Sequence, residues 1–338
     1  MPDGKSETSA LGHGARGLRN GDLAAISSRQ SRTAFRALSE TVGAVRGSET
    51  RPLWSAFRGL DAKYRYLRSH HGYRRAPLST ALRLADWRCR CALGIPATIE
   101  LQHNARLWLP PKWRGLAKLL YVFGESYELE LGYLAANLRS GMVVVDVGAA
   151  YGVYTAVAAK AVGESGLVLA FEPSADAFRV LEKNARLNGL ANVRLFRCAL
   201  ADRSGTARLS HHPDPSRNAL CAAGEAPHGS EEVPLETLDG LVARQGVHRV
   251  DVVKIDAEGA EELILSGARS LLSGSRPTVV FEVNQEASAA LGLSPWGAWN
   301  ILVALGYRFF SIRENGDLMN LESPPQGGNV VALKGELG

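Results

Sequence analysis

Two acids and two glycines stand where a nucleoside-containing ligand could be bound. Asp146 ends the apolar run VVVD, and Gly148 and Gly152 follow it within a short turn. Glu172 ends a second apolar run, LVLAFE. Glycines let a ligand approach bare backbone, and a carboxylate at a neighbouring strand end can accept hydrogen bonds from both hydroxyls of a ribose. We therefore expect these residues to meet at one edge of a parallel sheet.

The turn after Asp146 helps to distinguish two kinds of cofactor. A dinucleotide site favours GxGxxG, which fits a pyrophosphate, whereas this turn reads GAAYG. An acid repels phosphate but suits an ammonium group, and a helix beginning near Tyr151 directs its free N–H groups at a carboxylate. S-adenosylmethionine (SAM) carries both groups on its methionine part. The spacing favours SAM, and a nicotinamide-dependent oxidoreductase is the weaker alternative.

A second group of acids follows the apolar runs VVKI and TVVF. Asp256, Glu258 and Glu261 come just after the first run, and Glu282 follows the second. They could supply a general base for an acceptor hydroxyl, with Asp256, Glu258 and Glu282 as catalytic residues. Alternatively, Asp256 and Glu282 could bind Mg²⁺. A third interpretation, in which Asp256 orients the cofactor while Glu258 and Glu261 cap the following helix, stays open.

Other polar side chains near these runs have simpler interpretations. Lys254 lies within VVKI, and we expect it to pack its stem along the strand with its ammonium group at the rim. His211, His212 and His228 lie in the polar segment 203–232, where each could act as a base. Solvated loop histidines are the simpler expectation.

The elements that must position these residues follow from the hydrophobic rhythm. After Gly141, short apolar runs alternate with helical stretches, which is typical of a parallel sheet covered on both faces. Segment 203–232 interrupts this rhythm as a predicted loop or small hairpin beside the sheet. The predicted strands span 142–147, 167–171, 193–197, 250–255, 278–283, 306–311 and 329–333.

The part of the chain before this sheet has a different character. Residues 1–50 are rich in Gly, Ser, Ala and Arg, and such a composition predicts a disordered basic tail. Residues 51–112 contain helical spacing over 54–67 and after Pro77, then the segments TIELQ and RLWLP, which predict a hairpin. Residues 113–140 return to helical spacing and begin the third predicted region, 113–338.

Composition excludes several classes of protein. The chain is 46% hydrophobic and 22% charged, as in ordinary globular proteins, and has neither a long apolar run nor a secretion signal, so we expect a cytoplasmic protein. Its four cysteines form no CxxC pair, which argues against a zinc site. Residues 1–115 hold 20 Lys and Arg against 8 acids, whereas residues 116–338 hold 19 against 26. Such a basic region can dock on the acidic part of its own chain or on an anionic membrane surface.

Five motifs together resemble the FkbM-type methyltransferases: YELEL at 127–131, VVVDVGAAYGVYT at 143–155, AFEP at 170–173, NARLNGLANV at 184–193 and VVKIDAEGAEELILSGA at 252–268. The resemblance covers about residues 97–338. It implies a class I methyltransferase fold, a Rossmann-like doubly wound α/β sheet of seven strands with one antiparallel, here preceded by a small helical extension. It also implies methyl transfer from SAM to a hydroxyl of a sugar, glycolipid or secondary metabolite.

The resemblance assigns roles to individual residues. Glu128 and Asp146 would face the methionine part of SAM, Glu172 the ribose, and Ala199 the adenine. The loop residues Gly148, Ala149, Tyr151 and Gly152 would meet the cofactor, as would Pro173 beside Glu172. Relatives usually have Asn where this chain has Ala150, so one polar contact is absent. The remaining alternative is a non-catalytic protein of this fold that binds anionic lipid or nucleic acid; for the enzyme, a small-molecule or lipid-linked sugar acceptor and no nucleic acid are expected.

Overall fold

The computed structural model describes residues 70–212, 217–222, 224–225 and 229–334, which all belong to one compact unit. The predicted tail over 1–50 and the helix predicted over 54–67 lie outside these residues. Within the described part of the chain, none of the helices combines the length and the apolar character that crossing a bilayer requires.

An eight-stranded sheet forms the centre of the protein. Its strands in chain order are β3 Val143–Val147, β4 Leu167–Phe171, β5 Val193–Phe196, β10 Val252–Ile255, β11 Thr278–Asn284, β12 Tyr307–Ile312, β13 Leu318–Leu321 and β14 Gly327–Lys334. The spatial order is β13-β12-β14-β11-β10-β3-β4-β5. β14 is antiparallel to both of its neighbours, whereas β11, β10, β3, β4 and β5 are parallel. All seven predicted strands are present, and the expected class I methyltransferase fold is confirmed.

One strand of the sheet was not predicted. β13 pairs antiparallel with β12 at the sheet edge, through the register Phe309↔Leu321. Its sequence, LMNL, is only four residues long and half exposed, so it lacks the apolar run by which the other strands are recognised.

Helices cover both faces of the sheet. Alternate residues of each strand point to opposite faces, so Val144 and Val280 enter one hydrophobic cluster while Val145 and Phe281 enter another. The helices on the first face are α2 Pro77–Leu93, α3 Leu116–Phe123, α4 Leu129–Asn137, α5 Val153–Val162 and α6 Ala175–Leu187, with the short α1 His71–Arg75 before them. Those on the second are α7 Leu238–Arg244, α8 Glu261–Ser266, α9 Arg269–Gly274 and α11 Gly297–Ala304, and the short α10 Gln285–Ala290 follows β11.

The predicted helical stretch 113–140 is broken in the structure. A 3₁₀ turn at Gly124–Ser126 separates α3 from α4, and Gly124 has a φ of 56° that a continuous helix does not allow. Glu128 is extended, with φ −141° and ψ 145°, and it precedes α4 as its N-cap residue. The break therefore releases Glu128 from helical geometry.

The predicted hairpin is present as β1 Ala97–Leu101 and β2 Ala105–Leu109. The backbone N–H of Arg106 donates to Asn188 Oδ1 and that of Trp108 to Asn184 Oδ1, each at 2.7 Å, so α6 satisfies the outer edge of β2. Leu107 is buried in the same cluster as the sheet helices. The domain boundary at residue 112 stays a prediction. The residues on either side of it share this hydrophobic core.

The inserted segment contains the predicted hairpin within a small second sheet. The strands β6 Ala199–Leu200, β7 Gly205–Ser210, β8 Ala219–Leu220 and β9 Glu231–Glu236 pair in the order β6-β9-β7-β8. The pairing between β7 and β9 is antiparallel. This small sheet brings β8 beside the carboxyl ends of the central strands, where Leu220 faces a cleft described below.

Candidate functional site

The turn after β3 approaches the end of β10 very closely. Gly148 has a φ of 73°, and a Cβ atom there would lie 1.8 Å from the backbone carbonyl oxygen of Asp256. Gly152 has a φ of 82°, and its Cβ would lie 2.6 Å from Cδ1 of Leu181. We expected these glycines to let a ligand approach the backbone. The structure adds a second reason, because each glycine leaves room for another part of the protein.

Glu172 is held rigidly at the end of β4. It is 5% exposed, its Oε2 accepts a hydrogen bond from the Ala150 N–H at 2.8 Å, and its Oε1 accepts one from the Ser174 N–H at 2.8 Å. Burial raises the pKa of Glu172 to about 7, against the lowering effect of these two N–H groups. Each carboxylate oxygen has a second acceptor position, so a bound diol can still donate to this side chain.

A cleft opens at the carboxyl ends of β3, β4 and β10. Six of the predicted site residues line it: Gly148, Glu172, Pro173, Ala199, Asp256 and Glu258. Several further lining residues were not predicted from the sequence, and most of them are apolar: Cys198, Leu200, Leu209, Asn218, Leu220 and Ile264. Cys198 and Leu200 flank the predicted Ala199 and could have been included, whereas the others approach only through tertiary folding.

The remaining loop residues lie elsewhere. Ala149 is buried against Ala170 and Leu181, beneath the turn. Tyr151 faces a separate groove that includes Trp108. Together with Gly152, these residues do not line the cleft, and their contact with a cofactor stays a prediction.

Beside the cleft lies a group that we name the lysine cluster: Lys254, Asp146, Asp256, Glu128 and Tyr154. Lys254 Nζ is 3.4 Å from Asp256 Oδ2, 3.8 Å from Asp146 Oδ1 and 4.5 Å from the centre of the Tyr154 ring. Lys254 is only 6% exposed, so the expectation that its ammonium group reaches the rim was wrong. Burial lowers the pKa of Lys254, but Asp256, Asp146 and Glu128 outweigh this effect and raise it above its ordinary value.

Asp146 has an oxygen that the described residues leave unsatisfied. Thr155 Oγ1 donates to Asp146 Oδ2 at 2.6 Å, whereas Oδ1 has no hydrogen-bond partner in the described ranges. Asp146 is 1% exposed, and burial raises its pKa despite Lys254 nearby. A buried acceptor without a donor costs stability, and a positively charged ligand group would satisfy it.

Glu128 joins the cluster through the tyrosine. The Tyr154 hydroxyl donates to Glu128 Oε2. Burial, and then the charge of Asp256, raise the pKa of Glu128 to about 7. Its extended backbone and this hydrogen bond aim the carboxylate toward the ends of β3 and β10.

The acids after β10 and β11 have separate roles. Glu261 Oε1 accepts from the N–H groups of Ala257 and Gly259, at 3.0 and 3.3 Å, so Glu261 holds the turn before α8. Glu258 has a φ of 48° in that turn and faces the cleft. Burial, then the charges of Asp256 and Glu258, raise the pKa of Glu282 to about 7.

The described residues do not fit the proposed magnesium site. Within ranges 70–212, 217–222, 224–225 and 229–334, His, Cys, Asp and Glu side chains nowhere form a group of three placed to hold a metal ion. Lys254, near Asp256, already supplies a positive charge. His211 and His212 are exposed outside the cleft lining, and His228 lies outside the described residues.

A wider groove adjoins the cleft and shares Leu220 and Glu258 with it. Its walls come from β8 and α10 and combine alanine and leucine side chains with polar groups at Arg217 and Asn284. A second molecule bound in this groove would lie next to whatever occupies the cleft.

The sequence is similar to those of known methyltransferases over the part of the chain that forms the cleft. A family profile described as "Methyltransferase FkbM domain" matches residues 146–309. Methyltransferase sdnD of Sordaria araneosa is 28% identical over 165 residues, which cover 40% of this chain and 63% of that protein. The 31-O-demethyl-FK506 methyltransferase FkbM of Streptomyces tacrolimicus is 28% identical over 210 residues, which cover 53% of this chain and 78% of that protein. The chain thus spans less than two thirds of the first relative.

Solved structures show a weak likeness. Methyltransferase FkbM from Methylobacillus flagellatus KT aligns with a TM-score of 0.39 at 14% identity, over 64% of this chain and 53% of that chain. A SAM-dependent methyltransferase from Aquifex aeolicus aligns with a TM-score of 0.33 at 19% identity, over 61% and 88%. The fold assignment therefore rests on the strand order given above. The matched segment 146–309 contains the three strand ends of the cleft, so the site lies in the part of the chain that is similar to FkbM methyltransferase domains.

Proposed function

We propose that this protein transfers the methyl group of SAM to a hydroxyl of a small acceptor. The observation that carries the proposal is the arrangement of two neighbouring strand ends. Glu172, which lines the cleft, is fixed at the end of β4, and Asp146, buried within the adjoining β3 beside the cleft, has a carboxylate oxygen that accepts no hydrogen bond from the described residues. Ligands of open α/β sheets bind outside the carboxyl ends of the strands, where the strand order reverses. β3 and β10 form that reversal here.

Each part of SAM has a matching region. Glu172 would accept the two ribose hydroxyls, and Cys198, Ala199 and Leu200 would pack beside the adenine. Asp146 would accept from the methionine ammonium group, with Glu128 near it. Lys254 Nζ lies 3.8 Å from Asp146 Oδ1, so a closer donor would supply the hydrogen bond that this buried oxygen lacks, and this contact favours SAM binding.

The reaction would be an in-line displacement in which the acceptor oxygen forms a bond to the methyl carbon as the carbon–sulfur bond breaks. SAM becomes the neutral thioether, and the acceptor loses its hydroxyl proton. We propose that Asp256, which faces the cleft, receives this proton and that the charge of Glu282, which does not line the cleft, stabilises the protonated state. The pKa of Glu282, about 7, suits proton exchange near neutral pH. Correct placement of the two reactants supplies most of the remaining acceleration.

The groove beside the cleft is the proposed acceptor site. It shares Glu258 with the cleft, so an acceptor there lies on the open side of the methyl donor. The name of the Streptomyces relative, 31-O-demethyl-FK506 methyltransferase, indicates the O-methylation class of reaction. We extend that class to this chain and propose a sugar, a lipid-linked sugar or a secondary metabolite as acceptor.

Calorimetry with SAM tests the cofactor assignment. Glu172→Gln keeps one acceptor oxygen, so we expect SAM to bind about tenfold more weakly, the loss of roughly one charge-assisted hydrogen bond. The exposed Glu164→Gln is the matched control and should bind as the unchanged protein does. No heat of binding from the folded unchanged protein would reject the cofactor, and equal affinity of Glu172→Gln would reject the ribose contact.

Turnover tests the acid. Asp256→Asn should reduce methyl transfer by about 10²-fold or more while SAM affinity is retained, as expected of a proton acceptor. If SAM affinity falls instead, Asp256 orients the cofactor. The assay uses labelled SAM with fractionated metabolites and lipids, and binding of SAM without transfer to any fraction would favour a non-catalytic protein.

A further inference from the structure

Helix α2 (Pro77–Leu93) has two apolar faces. The inner face packs on α3: Trp87 is 1% exposed, its ring lies 5.0 Å from that of Tyr121, and its indole N–H donates to the Lys112 carbonyl oxygen at 2.9 Å. Cys91 is buried on the same side. These contacts fix the orientation of α2, so the opposite face is directed away from α3.

That opposite face carries a second apolar row, which we name the outer stripe: Leu78, Leu82, Ala85, Cys89 and Leu93. The spacing of four, three, four and four residues places them along one side of a helix. All five are exposed, and Leu78, Leu82 and Leu93 are 74%, 64% and 72% exposed. Single exposed leucines are ordinary, whereas a contiguous row of them marks an interaction surface.

Arginines border the outer stripe on both sides. At 3.6 residues per turn, Arg88 lies along one edge of the stripe, and Arg83 and Arg90 lie along the other. Asp86 is the single acid in α2, and it is already bonded to Arg90 Nε at 2.7 Å and to the Tyr121 hydroxyl. The helix therefore presents an apolar row between basic edges, which complements an anionic partner.

This charge pattern disfavours a second copy of the chain as the partner. Two outer stripes packed together would bring the arginine edges of both helices side by side, and Asp86 is already engaged within its own helix. The shape also matters: the stripe is a convex ridge along a helix about 25 Å long at 1.5 Å per residue. A convex row of leucines with arginines on both sides fits a partner surface that can deform around the helix.

We propose that the outer stripe of α2 docks the protein on a bilayer that contains anionic phospholipid. Leu78, Leu82 and Leu93 enter the boundary between headgroups and acyl chains, while Arg83 and Arg88 contact the lipid phosphates. The helix lies in the plane of the surface and does not cross the bilayer. This surface is separate from the cleft and does not depend on the proposed function.

Sedimentation of the full chain with vesicles tests the proposal. The unchanged protein should bind phosphatidylcholine vesicles that contain phosphatidylglycerol at least about tenfold better than vesicles of phosphatidylcholine alone. Replacing two leucines, Leu78→Ser with Leu82→Ser, should weaken this binding at least about tenfold, because two apolar anchors are lost. The matched control, Val303→Ser with Met319→Ser, removes two exposed apolar side chains elsewhere and should bind as the unchanged protein does.

A second variant separates charge from apolar contact. Arg83→Gln with Arg88→Gln should lose the preference for phosphatidylglycerol, and its melting temperature should stay unchanged because both side chains are exposed. Equal binding by the serine variant and the unchanged protein would overturn the proposal and assign the binding to other basic residues. Absence of binding to either vesicle would also overturn it, as would a dimer of the unchanged protein that the serine variant dissociates.

Discussion

Adjacent strand ends hold their carboxylates in opposite ways. At the end of β4, backbone N–H groups fix both oxygens of Glu172, and burial raises its pKa to about 7. At the ends of β3 and β10, the buried ammonium group of Lys254 lies close to Asp146 and Asp256. One carboxylate is oriented by hydrogen bonds alone, and the other two are compensated by a cation.

This difference predicts how Glu172 and the lysine cluster respond to pH and to the loss of a charge. A carboxylate fixed by neutral N–H groups can gain or lose a proton with little rearrangement, so its charge follows pH and ligand. Carboxylates next to a buried lysine form a unit whose members depend on one another, because removing one charge leaves the others uncompensated. We expect stability to depend most on the lysine cluster and ligand affinity to depend most on Glu172.

The largest effect should come from Lys254→Met. Loss of the ammonium group leaves Asp146 and Asp256 uncompensated, so the free energy of unfolding should fall by about 3–5 kcal/mol in denaturant titrations. Adding Asp146→Asn should recover part of this loss. Lys183→Met, which removes an ammonium group 3.4 Å from the centre of the Trp108 ring, is the control and should cost less than about 1 kcal/mol. An equal loss of unfolding free energy in both lysine variants would contradict the expectation that stability depends most on the lysine cluster.

The next effect should come from Gly148→Ala at the junction of the two regions. The new Cβ would meet the Asp256 carbonyl oxygen and force β3 and β10 apart, so we expect a loss of about 3 kcal/mol in stability. Gly189→Ala is the matched control, since Gly189 has a φ of 62° and open space around it, and it should cost only about 1–2 kcal/mol. Thermal melts of both variants measure the difference, and equal melting temperatures would mean that the close approach is unimportant.

The pH dependence should separate Glu172 from the lysine cluster. Its pKa is about 7 in the folded protein against an ordinary 4.5, so the folded state holds an extra proton between these values. The Glu172 contribution to stability is present below pH 4.5 and is lost as the pH rises to 7, by up to roughly 1.4 kcal/mol per pH unit. The proposed ribose contact uses the ionised form of Glu172, so we expect the affinity for SAM to increase as the pH rises through 7. Calorimetry on Glu172→Gln should show a smaller pH dependence, and an unchanged one would assign the effect to Glu128.

The smallest effect should come from Ala150, whose N–H donates to Glu172. Ala150 has a φ of 48°, a conformation that Asn tolerates better than Ala. Ala150→Asn should stabilise the protein by about 0.5–1 kcal/mol and strengthen SAM binding slightly. Ala161→Asn in helix α5 is the control and should destabilise it by a few tenths of a kcal/mol. A loss of stability at Ala150→Asn would show that the loop is not strained.

The carboxyl ends of the strands were predictable because they follow local patterns. Apolar runs located β3, β4, β10 and β11, and the acids that follow them are adjacent in sequence to those runs. The outer wall of the cleft was not predictable, since Leu209 and Leu220 lie in a polar segment without an apolar run, and the strand that holds Leu220 is only two residues long. Their position depends on how the small sheet packs beside the large one.

The sequence by itself determined the sheet, its helices and the presence of acids at successive strand ends, because periodicity and strand-end position are local properties. Tertiary structure decided the environment of each acid. Lys254 is buried beside Asp146 and Asp256, and Gly148 makes room for the Asp256 carbonyl group just after β10, because parallel strands distant in sequence pair side by side. The charge and hydrogen bonding of a buried group depend on such neighbours, and no local pattern specifies them.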